Sequence, residues 1–144
     1  MNVSRSALVP FSATQMFQLV DDVENYHRFL PWCESVELIS KNQDITAARL
    51  NINYRGLRQS FATENHKNGF NKINMQLIDG PFKSLYGSWQ FIPLTDTASK
   101  IEFNLNYEFS SFILQKIVGP VFGHIVNNMV DAFQQEAERR YVSQ

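Results

Sequence analysis

The sequence predicts an α+β fold in which a curved antiparallel sheet of six to seven strands wraps a long C-terminal helix. From Cys33 to Phe109 apolar residues recur with period two, and the gaps between runs are too short for helical crossovers. From Leu114 to Phe133 the recurrence becomes helical. Twelve Phe, five Tyr and two Trp supply bulky, rigid groups suited to packing between such layers.

The elements follow in chain order. Val3 to Val9 alternates weakly and stops at Pro10, which suits a strand at a sheet edge. Ser12 opens a capping box with Gln15, each side chain satisfying a free backbone N–H of the other's residue. The helix it starts carries Met16, Phe17, Leu19 and Val20. A second short helical turn, Val23 to Phe29, stops before Pro31. Within the period-two block, Ala48, Leu50, Ile52 and Tyr54 share one face, with Arg49, Asn51, Asn53 and Arg55 on the other. Tyr54 to Leu57 reads as a turn, and Asn68-Gly69 as a two-residue hairpin. Asp79-Gly80-Pro81 separates the next two strands. The clearest strand is the last, with Ile101, Phe103, Leu105, Tyr107 and Phe109 opposite Glu102, Asn104, Asn106 and Glu108.

Beyond Ser110-Ser111, the residues Leu114, Ile117, Val118, Val121, Phe122, Ile125, Met129 and Phe133 form an apolar stripe. Gly119-Pro120 is expected to kink or restart this helix, leaving Phe112 to Val118 as a separate short segment. Val121 to Tyr141 is then a helix of about 20 residues, roughly 30 Å long, enough to cross the sheet.

Bulk properties narrow the function. At 144 residues the chain reads as one domain, 1–144, able to bury a core without staples. A net charge of −1 gives no general pull toward nucleic acid, so no DNA partner is expected. Cys33 is the sole cysteine, which excludes an internal disulfide and fits a reducing compartment. The N-terminus has no secretory signal pattern. The most apolar stretch, Phe112 to Val126, is interrupted by Gln115, Lys116 and His124 and is too short to span a bilayer. A bacterial cytoplasmic protein is expected, with at most peripheral contact with the inner membrane.

Catalytic constellations are sparse, and the chain is read as a non-enzyme. His27, His66 and His124 lack metal-ligand spacing with one another or with Cys33, so no metal site is assigned. Cys33 reads as a small buried hydrophobe. His124 is a candidate proton donor only if it faces the covered side of the last helix. Glu102, Glu108, Asp131 and Glu136 lie on polar faces with no acid/base pairing. No catalytic residue and no required cofactor is assigned.

The apolar positions are more informative. A curved sheet gripped by one long helix tends to leave a gap that side chains do not fill. Its expected wall comprises Phe29, Trp32, Leu50, Ile52, Tyr54, Phe61, Met75 and Leu77 from the first half of the chain. From the second half come Phe82, Leu85, Trp89, Phe103, Leu105, Phe122, Ile125 and Met129. On the opposite face Arg49, Arg55 and Arg58 are the nearest approach to a basic patch.

Specific segments add to this reading. Tyr26 to Cys33 (Tyr-His-Arg-Phe-Leu-Pro-Trp-Cys), Gly80-Pro81-Phe82 with Gly87-Ser88-Trp89-Gln90-Phe91, Tyr107-Glu108-Phe109, and Met129 to Phe133 carry a resemblance. They resemble the coenzyme Q-binding, polyketide-cyclase-like branch of the START superfamily, whose bacterial members include ribosome-association toxins. The similarity runs from Val3 to about Tyr141. It implies the helix-grip fold and, as bound ligand, ubiquinone or another polyprenyl lipid held in support of respiration. It also implies an alternative: binding to the large ribosomal subunit, blocking subunit joining and translation initiation, with an antitoxin as a further partner; the basic patch of Arg49, Arg55 and Arg58 is then the expected ribosome contact. The catalytic residues of polyketide cyclases find no counterpart in this chain.

Overall fold

A computed structural model describes residues 1–142. The strands are β1 (Asn2–Val9), β2 (Cys33–Lys41), β3 (Ile45–Tyr54), β4 (Leu57–Asn68), β5 (Lys72–Asp79), β6 (Phe82–Thr95) and β7 (Ala98–Phe109). They form one seven-stranded antiparallel sheet in the order β1-β7-β6-β5-β4-β3-β2. Six strands are thus a meander, and β1 closes onto the last of them. Helix α1 (Ala13–Asp21) and a 3-10 segment (Val23–Arg28) fill the connection from β1 to β2. After β7 come α2 (Phe112–Asn127), α3 (Met129–Ala137) and a single π-type turn (Glu138–Val142).

Local chemistry explains the elements. The Ser12 hydroxyl accepts from the Gln15 N–H at 3.1 Å, and the Gln15 side chain accepts from the Ser12 N–H at 3.0 Å, as the capping box requires. Every second residue of β7 from Ser99 to Phe109 is buried, so the alternation turns one face to the helices. At the β3–β4 turn Tyr54 pairs with Leu57, and Arg55 and Gly56 both take positive φ, 52° and 86°. That is the turn whose twist matches the strands, at the expense of holding an arginine in the left-handed region.

Two expectations about turns and helices are corrected. The Asn68-Gly69 hairpin has a three-residue loop, because Asn68 pairs with Lys72. Gly119-Pro120 does not split the last helix, and α2 continues through it. Lys116 and Pro120 are both exposed, so the carbonyl that loses its partner lies on the solvent side. The chain breaks eight residues later, at Asn128. There the side-chain amides of Asn127 and Asn128 donate to the carbonyls of Gly123 and His124, both at 2.8 Å. These side chains compete with the backbone for helix carbonyls and the backbone N–H of Asn128 bonds Ile125 instead. Phe112 to Val118 is therefore the start of α2 and not a separate segment. Ile117, assigned to the covered stripe, is exposed together with Phe112 and Ile113.

Gly87 shows how closely the sheet is built beneath the site. A Cβ there would lie 2.1 Å from the Asn104 carbonyl oxygen and 2.9 Å from the Leu105 Cα. Only glycine lets β6 and β7 approach this closely next to Trp89.

Candidate functional site: an apolar interior and its outer groove

Between the sheet and the helices lies a cavity of about 70 Å³. Its floor is the inner face of the sheet: Ala48 and Leu50, Phe61, Ile73 and Met75, Leu85 and Trp89, Phe103 and Leu105. Its roof is Phe122, Ile125 and Val126 from α2 with Met129 and Phe133 from α3. Val20, Val23 and Tyr26 close one side. The polar contributors are few. Thr63 Oγ1 donates to Asn65 Oδ1 at 3.0 Å, and the Tyr26 hydroxyl donates to the Val20 carbonyl.

Aromatic packing reduces the gap. Trp89 lies 4.6 Å from Phe103 and 5.3 Å from Phe133, between ring centroids. Phe82 packs on Phe122 at 4.9 Å and stacks on Phe109 at 5.0 Å. The interior is therefore fuller than a curved sheet and a single helix suggest. An apolar cavity that holds benzene measures about 150 Å³, so this one accepts a ring only after side chains or α2 move.

A second concavity lies outside the roof, a groove of about 530 Å³ between the Arg28–Trp32 segment and α2–α3. Phe29, Trp32, His124, Asn128 and Gln135 line it. Ile125 lines both and so lies between groove and cavity.

The expected cavity residues divide accordingly. Leu50, Phe61, Met75, Leu85, Trp89, Phe103, Leu105, Phe122, Ile125 and Met129 line the cavity. Phe29 and Trp32 line the groove. Ile52, Tyr54, Leu77 and Phe82 stand outside the cavity wall; Tyr54 lies against the His124 ring at 5.6 Å. The wall residues Val20, Val23 and Tyr26 escape a strand-and-helix pattern, because a short connecting helix does not announce which face it turns inward. Thr63 and Asn65 of β4 also line the cavity but carry no apolar signal in the sequence.

The reactive side chains are placed unfavourably for catalysis. Cys33 is buried, and burial pushes its thiol up to about 11, leaving almost no thiolate at neutral pH. His124 is exposed on the groove side and does not face the covered interior, contrary to the condition for a proton donor. Glu136, read as a residue of a polar face, is 4% exposed. Its carboxylate takes two bonds from Arg139, at 2.7 and 2.6 Å, and two from Arg140, at 2.9 and 3.3 Å. The hydrogen bond from Arg139 holds its carboxyl below the usual range. Arg140 also reaches Asp22 at 3.3 Å, tying the C-terminal turn to the end of α1. Among the described residues no group of three or more His, Cys, Asp or Glu side chains could hold a metal ion. Among the same residues no helix is long and apolar enough to cross a membrane.

The three arginines lie on the outer face, but not as bare charge. Arg49 bonds Asp79 at 2.9 Å and Arg58 contacts Glu34 at 3.4 Å. Arg55 sits at the exposed turn tip with its guanidinium 5.3 Å from the Tyr54 ring centroid.

Comparison with known proteins places this architecture. The ribosome association toxin RatA of Vibrio cholerae is 42% identical over 139 residues, covering 96% of each chain. The coenzyme Q-binding protein COQ10 homolog B, mitochondrial, of Xenopus laevis is 30% identical over 143 residues, which are 96% of this chain and 58% of that one. Among solved structures, the Zhui aromatase/cyclase from Streptomyces superposes with a TM-score of 0.85, covering 97% of this chain and 94% of that one. At 17% identity that likeness shows a shared fold alone. The family described as polyketide cyclase/dehydrase and lipid transport matches residues 9–134. The seven-stranded antiparallel sheet, the C-terminal helices laid over it and this match together show that the chain belongs to the polyketide cyclase/dehydrase and lipid transport family, within the START-like helix-grip fold.

Proposed function

We propose that this protein binds a long apolar lipid of the ubiquinone type in the sheet–helix cavity, without transforming it, in support of respiration. The observation that carries the reading is the apolar cavity, with Ile125 lying between it and an outer groove. A ligand burying ~400 Å² of apolar surface there gains on the order of 10 kcal/mol before ordering costs. Met75 and Met129, unbranched and half-buried in the wall, are suited to yielding space. The relative named as coenzyme Q-binding supports the ligand class. The buried, protonated Cys33 and the outward His124 support binding without catalysis.

Contact with a lipid surface belongs to the same reading. The first turns of α2 expose Phe112 (74%), Ile113 (68%) and Ile117 (55%) beside a lone charge, Lys116. Titration of the purified protein with decylubiquinone, followed by quenching of Trp89 and Trp32 fluorescence, tests the proposal. Saturable quenching is expected. Fluorescence that declines only in proportion to added quinone, as by collision, contradicts it.

A second reading is association with the large ribosomal subunit, favoured by the relatives named for ribosome association. With Arg49 and Arg58 engaged by carboxylates, Arg55 at the turn tip is the side chain most open to phosphate. An antitoxin partner belongs to this second reading. Co-sedimentation with large subunits at low salt, weakening steeply as salt rises, is its expected sign; absence of co-sedimentation at low salt removes it.

A further inference from the structure

We infer that the Tyr107 hydroxyl is the hydrogen-bond donor that anchors an oxygen-bearing head of the cavity's ligand. The inference rests on the lipid-binding reading and supplies the polar contact it otherwise lacks.

Tyr107 projects from the inner face of β7 and is 2% exposed. Its ring packs on Phe122 at 4.8 Å, Phe109 at 5.7 Å and Phe82 at 6.1 Å. Among the described residues its hydroxyl is the one buried side-chain polar atom without a hydrogen-bond partner. Elsewhere the interior satisfies its polar atoms: Tyr26 bonds Val20, Thr63 bonds Asn65, and Ser99 bonds Phe11. An orphaned hydroxyl among phenylalanines is destabilising, and phenylalanine fills nearly the same volume without that defect. A tyrosine here therefore points to a partner that arrives from outside.

The chemistry of that partner follows from the phenol. Burial raises the Tyr107 pKa, so the group keeps its proton and offers an O–H donor. Its partner must bring an acceptor oxygen on an otherwise apolar molecule, as a quinone carbonyl does. Position agrees. Phe122 packs on the Tyr107 ring on one side and lines the cavity on the other. A cavity of about 70 Å³ must grow before it holds a ring, and growth by displacement of Phe122 extends it toward Tyr107. Phe122 rides on α2, which ends at Asn127, whereas Phe133 belongs to α3, which starts at Met129.

The test compares wild type with Tyr107→Phe, using decylubiquinone and its headless counterpart decylbenzene as probes. Calorimetry is expected to show decylubiquinone binding weakened about tenfold in the variant, the loss of one neutral hydrogen bond, with decylbenzene unchanged. Infrared spectra of carbonyl-labelled quinone should show a lowered C=O frequency in wild type that returns to its unbonded value in the variant. The empty variant should melt higher than wild type, since an unpaired hydroxyl has been removed. Equal decylubiquinone affinity, an unshifted carbonyl band, or a lower melting temperature each overturns the inference and leaves the lipid reading standing. Wild type that binds neither probe overturns both.

Discussion

Replacing Ile125 by alanine truncates the side chain that lines both the interior cavity and the outer groove. Ile125 is 2% exposed, so the substitution withdraws three fully buried carbons. At ~0.8 kcal/mol per buried carbon group the transfer loss is about 2.4 kcal/mol. If about 50 Å³ of the vacated space stays open, ~24 cal/mol per Å³ adds about 1.2 kcal/mol, for a total near 3.6 kcal/mol. At roughly 2–4 °C per kcal/mol, that lowers the melting temperature by about 7–14 °C. Packing alone predicts nothing further. A gate predicts that decylubiquinone enters faster, by on the order of tenfold if Ile125 contributes ~1.4 kcal/mol to the barrier. Stopped-flow tryptophan fluorescence measures that rate, with thermal denaturation as the control for stability. A variant that loses the expected stability yet takes up the quinone no faster refutes the assignment of Ile125 as the barrier.

Two further outcomes follow from the same geometry. Gly87→Ala should destabilise the protein by about 3 kcal/mol or more, because its Cβ would fall 2.1 Å from the Asn104 carbonyl oxygen and force β6 from β7; urea denaturation within 1 kcal/mol of wild type would contradict this. Glu136 has a folded pKa below its unfolded value of about 4.3. Its contribution is therefore complete above that unfolded value and is lost as pH falls through the folded one. Glu136→Gln should lower stability at pH 7 by about 1–3 kcal/mol and flatten the acid limb; an acid limb parallel to that of wild type would contradict it.

Much of the fold is legible in the residues because local chemistry and tertiary packing agree. The alternation of β7 from Ile101 to Phe109 and the Ser12–Gln15 box both appear as their patterns require. The helix break shows where local rules mislead. Proline at 120 was the stronger signal, but its lost bond lies on the solvent side, whereas two consecutive asparagines satisfy carbonyls with their own amides. Glu136 looked solvated because helical periodicity alone cannot show that Arg139 and Arg140 fold back onto it. The candidate site is legible on the sheet side, where period two separates inside from outside. It is not legible at Phe29 and Trp32, which the chain carries past the roof into the groove, nor at Val20, Val23 and Tyr26. Tyr107 was visible as an inner-face residue, but only the three-dimensional arrangement leaves its hydroxyl alone.

Native mass spectrometry of the full chain, purified from cells without detergent, tests the central claim most directly. The account predicts an added mass that organic extraction removes and that matches a polyprenyl quinone or a lipid of similar chemistry. A protein that carries no added mass, and still carries none after incubation with quinone-loaded vesicles, would contradict it.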